Sequence, residues 1–414
     1  MAVIKPFKGL RPPKAIAHKV AALPYDVMST AEALRMADGN PYSFLHISRP
    51  EIDLPADVDM HSIPVYEKGR ENLSQFIKEG TLIQDAEDCY YIYRQKMGKV
   101  VQTGLVACSS VDDYQSGVVK KHELTRADKE EDRVKHIDYI NANDEPVFYT
   151  YRRRPSIVAV VESVINETPE YDFKTEDGVS HTLWIVNEKE VIEKLTEEFA
   201  EIPSLYVADG HHRSAAASRV RDLRKAANPF HKGNEEYNYF LTVIFPDSEL
   251  NIMSYNRVIK DLNGYFVEDF LQETGKTFDV TLLNEQPELS NRHNFGMYVN
   301  SKWYRLIPKE GSFNRNDPVE ALDVSILQKN LLEPVLGISN PRTDQRINFV
   351  GGIRGLAELE KLVDSGDYAV AFALFHTTIK ELMELADVGE IMPPKSTWFE
   401  PKLRSGLFAH LLYD

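Results

Sequence analysis

The run Tyr206-Val207-Ala208-Asp209-Gly210-His211-His212-Arg213-Ser214-Ala215-Ala216-Ala217 constrains this chain more than any other, because an apolar stretch enters a tight turn and leaves as a small-residue helix. Leu205 to Val207 read as a buried strand. Asp209-Gly210 supplies the turn, since glycine tolerates backbone angles that other residues resist, and the stretch from there to about Lys225 has helical composition. The first turn of such a helix leaves backbone N–H groups without intrahelical partners and carries the positive end of the helix dipole, which suits a phosphate. Gly210, Arg213 and Ser214 would surround that anion, with Arg213 adding a planar, permanently charged fork. An ordinary strand-to-helix connection with two solvated histidines has the same composition.

A second segment, Lys120-Lys121-His122-Glu123-Leu124-Thr125-Arg126-Ala127-Asp128-Lys129-Glu130-Glu131-Asp132-Arg133, packs ionisable residues far more densely than a core needs. Thr125 with Asp128 three residues later predicts a capping-box-like start to a helix that runs to about Ile140. On that helix Lys129, Arg133 and His136 share a face. A solvated, salt-bridged surface helix would show the same charges. The pair His122-Glu123 does not fit a metalloprotease, whose second histidine stands four residues after the first; position 126 is arginine.

The Asp209-Gly210-His211-His212-Arg213 corner resembles the phosphate-binding corner of the ParB/sulfiredoxin superfamily, and especially that of its free serine kinases. Sulfiredoxins carry cysteine where His211 stands, and ParB proteins carry a Gly-Glu-Arg-Arg type of box, so peroxide repair and DNA partitioning are not implied. In the serine kinases a His-Glu pair precedes the corner and its carboxylate is the proposed general base. The resemblance therefore implies that Glu123 accepts the proton of a substrate hydroxyl, with Asp209, His211, His212 and Arg213 as the other catalytic residues and His122 on the substrate. Over the whole chain, Pro24-Tyr25-Asp26-Val27, Asn40-Pro41-Tyr42-Ser43-Phe44-Leu45-His46, the two segments above and Met392-Pro393-Pro394-Lys395-Ser396-Thr397-Trp398-Phe399-Glu400-Pro401-Lys402 resemble the family called domain of unknown function 1015.

With 414 residues the chain is long enough for two or three modules, and 43% apolar with 27% charged residues describes an ordinary globular protein. No stretch approaches the roughly 20 apolar residues of a membrane helix, and the start lacks the apolar core of a secretory signal, so the expected location is cytoplasmic. Cys89 and Cys108 fall in a predicted hairpin, Tyr90 to Tyr93 and Val100 to Ala107, and read as small strand residues in a reducing compartment. A net charge of −16 repels the phosphates of nucleic acid, which is not an expected partner.

Three units are expected: an α+β module at 1–110, a ParB/sulfiredoxin-like α/β nucleotide-binding core at 111–245, and an α+β module at 246–414. In the first, Val65 to Glu79 reads as a helix. In the second, Ser156 to Val164, rich in Ile and Val, reads as a buried strand, as do Thr182 to Val186 and Phe240 to Phe245, with a helix over Asn187 to Ala200. In the third, Val267 to Thr274, Ala357 to Asp364 and Thr378 to Ala386 read as helices, and Phe295 to Val299 and Tyr368 to Leu374 as strands. Lys395, Ser396 and Thr397 stand on a proline-stiffened loop and are candidate substrate contacts, or the loop simply docks on a core. Asp26 either ligates Mg²⁺ or caps a helix beginning near Ser29.

The combined expectation is a small-molecule kinase that uses ATP or ADP with Mg²⁺ to phosphorylate free L-serine or a similar hydroxylated metabolite, Lys129 and Arg133 neutralising the transferring group. The competing expectation is a ParB-like nucleotide-responsive regulator of DNA or partner binding that lacks kinase activity.

Overall fold

A computed structural model describes residues 1–413, which form two compact units: Met1–Leu250 together with the segment from Pro401 onward, and Asn251–Glu400. The first unit is built on a nine-stranded mixed sheet. Its strands are β1 (Ile4–Lys5), β2 (Tyr90–Met97), β3 (Val100–Ser110), β4 (Val119–Lys120), β5 (Val147–Tyr151), β6 (Tyr171–Lys174), β7 (Ser180–Val186), β8 (Leu205–Asp209) and β9 (Tyr239–Pro246). They lie in the order β4-β8-β5-β9-β3-β2-β7-β6, with β1 also paired to β3. The β8/β4 and β9/β5 pairs are parallel and the others antiparallel. β3 ends at residue 110, so the segments before and after that expected boundary contribute to one sheet.

The helices of this unit include α1 (Ile63–Lys78), α2 (Ala127–Ile140), α3 (Pro155–Val164), α4 (Lys189–Ala200) and α5 (His211–Ala227). The cysteine hairpin forms as expected, β2 on β3 around Gly98 at φ 58°, and both thiols are free and buried. One expectation is corrected: Ser156 to Val164 is helical. Its β-branched residues suit a strand, but Pro155 presets the φ of a first helical turn, and Ile157, Val161 and Val164 recur at helical spacing, with Ile157 and Val164 buried in the sheet core. A second correction concerns the start of α2. Arg126 precedes its first turn without a side-chain cap, and Thr125 Oγ1 donates instead to Glu130 Oε2 at 2.8 Å.

Helices α2 and α5 pack through Val134, Ile137, Ala216 and Val220. At about 1.5–3 kcal/mol for each fully buried large aliphatic side chain, this seam fixes the ends of both helices. The segment carrying His122 is thereby set against the Asp209 turn.

The second unit contains a six-stranded, wholly antiparallel sheet in the order Phe278–Leu282, Lys302–Pro308, Phe295–Val299, Val370–Ala373, Tyr255–Ile259, Ile347–Gly351. Val258, Tyr298, Trp303, Leu359 and Ala371 form its apolar core. The helices Val267–Thr277, Leu356–Asp364 and Ile379–Asp387 fall where expected. No helix among the described residues is long and apolar enough to cross a membrane.

Candidate active site

The corner forms where β8 meets α5. Opposite β5, β8 shifts register between Val207 and Asp209, a bulge of the kind that re-aims a side chain at the end of a strand. Gly210 follows at φ 96°, a left-handed conformation that penalises a side chain, and a Cβ there would also meet Arg213 Nε and Val147 Cγ1 at 3.2 Å. No side chain caps α5. The N-cap residue, Gly210, has no side chain to offer the first-turn N–H groups.

Asp209 does not face outward as a free carboxylate. Its Oδ1 accepts from the Gly210 N–H at 2.8 Å and its Oδ2 pairs with Lys402 Nζ at 2.8 Å. Burial pushes this carboxyl up, but Lys402 and Arg213 outweigh burial and hold it well below the usual carboxylate range. Arg213 is buried, donates to the Pro146 carbonyl at 2.5 Å and lies 3.9 Å from Asp26. It is a clamp beneath the corner as well as a charge beside it. Asp26 is not a helix cap: Ser29 caps the next helix in a reciprocal pair with Glu32.

The structure brings His122 and Glu123 to this corner. The rings of His122 and His211 meet edge to face, with centroids 4.4 Å apart, and a ligating atom from each of His122, Glu123 and His211 lies within 4.8 Å of the others. Burial pushes the His122 imidazole down to about 4 and the His211 imidazole well below its ordinary value, so both are neutral near pH 7. His212 fastens the arrangement. Its Nε2 accepts from the Arg126 N–H at 3.0 Å, tying the His122 segment to the first turn of α5.

Of the residues expected to neutralise a transferring group, Lys129 is half-buried in the first turn of α2. Arg133 is buried, paired with Asp132 at 2.7 Å and stacked 4.0 Å over the Tyr25 ring. Ser214 is buried, its hydroxyl directed to the Gly210 carbonyl at 3.3 Å. Lys395, Ser396 and Thr397 belong to the second unit. There the Lys395 ammonium lies 5.7 Å over the Tyr255 ring, and the Ser396 hydroxyl donates to the Pro393 carbonyl at 2.6 Å.

Sequence reasoning missed a carboxylate pair under the corner. Glu145 Oε1 accepts from the Tyr25 N–H at 3.0 Å and from the Ser405 hydroxyl at 2.8 Å, while Asp144 pairs with His136 at 2.9 Å. Burial, reinforced by the Asp144 charge, pushes Glu145 up to about 7; burial pushes Asp144 up too, but His136 and Arg133 outweigh it and hold Asp144 low. Two adjacent carboxylates ahead of Pro146 and a strand were the available signal. Lys402 stands at the end of the proline-rich segment that carries the family resemblance, but nothing there points to Asp209, and Ser405 had no signal.

No curated protein matches the chain. Among solved structures, a conserved hypothetical protein from Pyrococcus furiosus aligns over 75% of this chain and 97% of its own, with 15% identity and a TM-score of 0.35. A free serine kinase in complex with AMP covers 73% of this chain and 92% of its own at 14% identity and a TM-score of 0.35. A C-terminally truncated SbnI from Staphylococcus aureus covers 74% and 87% at 11% identity and a TM-score of 0.37. Superpositions this loose leave the chemistry to the residues themselves. The sequence family described as protein of unknown function (DUF1015) matches residues 4–325. With that match spanning well over half of its length, the chain belongs to the DUF1015 family.

Proposed function

We propose that the protein is a small-molecule kinase that transfers a phosphoryl group from ATP or ADP to the hydroxyl of L-serine or a similar metabolite. The observation that carries this reading is the convergence of His122-Glu123 on the uncapped start of α5, behind a left-handed glycine. In this reading residues 111–245 are a ParB/sulfiredoxin-like nucleotide-binding core, and the first-turn N–H groups of α5 hold the nucleotide's phosphates. The acceptor oxygen attacks the terminal phosphorus, the bond to the bridging oxygen breaks, ADP or AMP leaves, and Glu123 takes the hydroxyl proton. Lys129 offsets the charge on the transferring group. Arg133, already paired with Asp132, acts by holding α2 and Tyr25 in place. His212 is a positioning residue and Arg213 both clamps the turn and raises the local positive potential.

Mg²⁺ accompanies nucleotide phosphates and takes hard oxygen ligands. Asp26 fits as such a ligand, because its side chain is 40% exposed and its contact with Arg213 is a long 3.9 Å. The ion would neutralise phosphate charge there.

The test incubates purified protein with Mg²⁺, ATP or ADP, and a panel of hydroxylated metabolites including L-serine, reading products by mass spectrometry. Phosphoserine or another phosphorylated metabolite is expected. Glu123→Gln should lower turnover by about 10²–10⁴-fold while nucleotide binding persists. Absence of any phosphorylated product with either donor overturns the kinase assignment, and wild-type turnover in Glu123→Gln removes that residue as the base.

A further inference from the structure

The contact between His122 and His211 is unusual in a way that phosphotransfer does not require. Both residues are almost wholly buried, at 2% and 6% exposure. Among the described residues no side-chain or backbone group makes a well-formed hydrogen bond to either ring nitrogen of His122 or to Nε2 of His211, the Val207 backbone lying near the His122 ring. A buried polar atom left unpaired costs about 1–3 kcal/mol, so two such rings in contact favour an occupant that takes one nitrogen from each.

We propose that His122, Glu123 and His211 form a binding site for a first-row divalent transition-metal ion of the Zn²⁺ or Fe²⁺ type. The donor set is two imidazoles and a carboxylate, which suits these ions and does not suit Mg²⁺ or Ca²⁺. The ligating atoms lie within 4.8 Å of one another. Around an ion with bonds of about 2.1 Å, tetrahedral ligands stand roughly 3.4 Å apart, so the three side chains need to close by at most about 1.4 Å. The backbone segments that carry them are already fastened together by the Arg126 N–H to His212 Nε2 bond.

Three protein ligands leave at least one coordination position open, and His211 is the first residue of α5. The open position therefore lies beside the anion-binding turn, where an oxygen of a bound anion or a water would complete the ion's shell. The metal site does not depend on the kinase reading.

The experiment uses the full chain without a histidine tag, stripped with a chelator, titrated with Co²⁺ as a spectroscopic probe and then with Zn²⁺, with bound metal measured by mass spectrometry. About one Co²⁺ per chain is expected, with visible bands of nitrogen and oxygen ligation that Zn²⁺ abolishes and excess Mg²⁺ does not. His122→Ala and His211→Ala should each weaken binding by more than the roughly 10–100-fold that outer-shell changes cause, whereas His46→Ala should leave it intact. The wild-type spectrum carries the test if either variant fails to fold. Absence of those bands, or stoichiometric binding that survives both substitutions, overturns the proposal. Metal binding in a protein that phosphorylates nothing would leave this site standing and remove only the kinase reading; turnover in metal-free protein with Mg²⁺ alone, and no Co²⁺ spectrum, would do the reverse.

Discussion

The corner at the start of α5 and the sheet core of Asn251–Glu400 bury opposite kinds of residue. Under the corner lie His122, Arg133, Asp144, Glu145, His211 and Arg213, all buried. In the second unit the equivalent depth is filled by Val258, Tyr298, Trp303, Leu359 and Ala371. An apolar interior stabilises by removing area from water, while a buried charge is tolerated only where a partner repays its desolvation. The first unit meets that condition by giving each buried charge a partner, near in the chain or far along it: Asp209 with Lys402, Asp144 with His136, Arg133 with Asp132. Such an arrangement is a poor way to hold a fold together. Under the proposed function, the difference would place the chemistry in one unit and leave the other as scaffold.

Substitutions can break that contrast. Arg213→Ala should have the largest effect on stability, about 3–5 kcal/mol by denaturant unfolding, because it strands Asp26, Glu145 and the Pro146 carbonyl together, and it should weaken nucleotide binding in the same preparation. Leu359→Ala should cost about 2–5 kcal/mol in the second unit, since Leu359 is wholly buried, while nucleotide affinity stays at the wild-type value by calorimetry. If affinity falls with it, the division between chemistry and scaffold is wrong.

A smaller effect is expected from pH. Below about 4.5 folded and unfolded chains both keep the Glu145 proton; between about 4.5 and about 7 the unfolded chain releases it and the folded chain does not, so stability falls as pH rises through that window. Glu145→Gln keeps an acceptor for Tyr25 and Ser405 and should flatten this part of the stability profile by about 1–3 kcal/mol, measured by urea unfolding at pH 5 and pH 8. The smallest change is Thr378→Ala, which removes the reciprocal cap with Glu381 and should lower stability by about 1 kcal/mol with no change at the corner.

Local patterns made most elements legible. Alternation and a Gly98 turn sufficed for the β2/β3 hairpin, and the strand–turn–helix at Asp209-Gly210 is encoded within a dozen consecutive residues. Helix α3 is the exception: its β-branched content suits a strand, while the helical spacing of Ile157, Val161 and Val164 matches the structure. Half of the candidate site was legible for the same reason that the corner was: His122-Glu123 and Asp209 to Arg213 are short, contiguous motifs. The other half, Glu145 with Ser405 and Asp209 with Lys402, exists only through pairings between residues 260 and 193 positions apart, which no local pattern records.

That last pairing bears on the order in which the protein is made. The chain leaves the first unit at Leu250 and re-enters it at Pro401, and the Glu400 N–H donates to the Asn251 carbonyl, so the exit and return points of the excursion meet. During synthesis from the N-terminus, Asp209, Arg213 and the sheet beneath them emerge long before Lys402 and Ser405 do. A ribosome-bound chain that has passed residue 250 thus carries a corner whose Asp209 still lacks its ammonium partner and whose Glu145 still lacks the Ser405 hydroxyl. The second unit acts as a delay line: the corner acquires these two contacts only after residues 251–400 have been made.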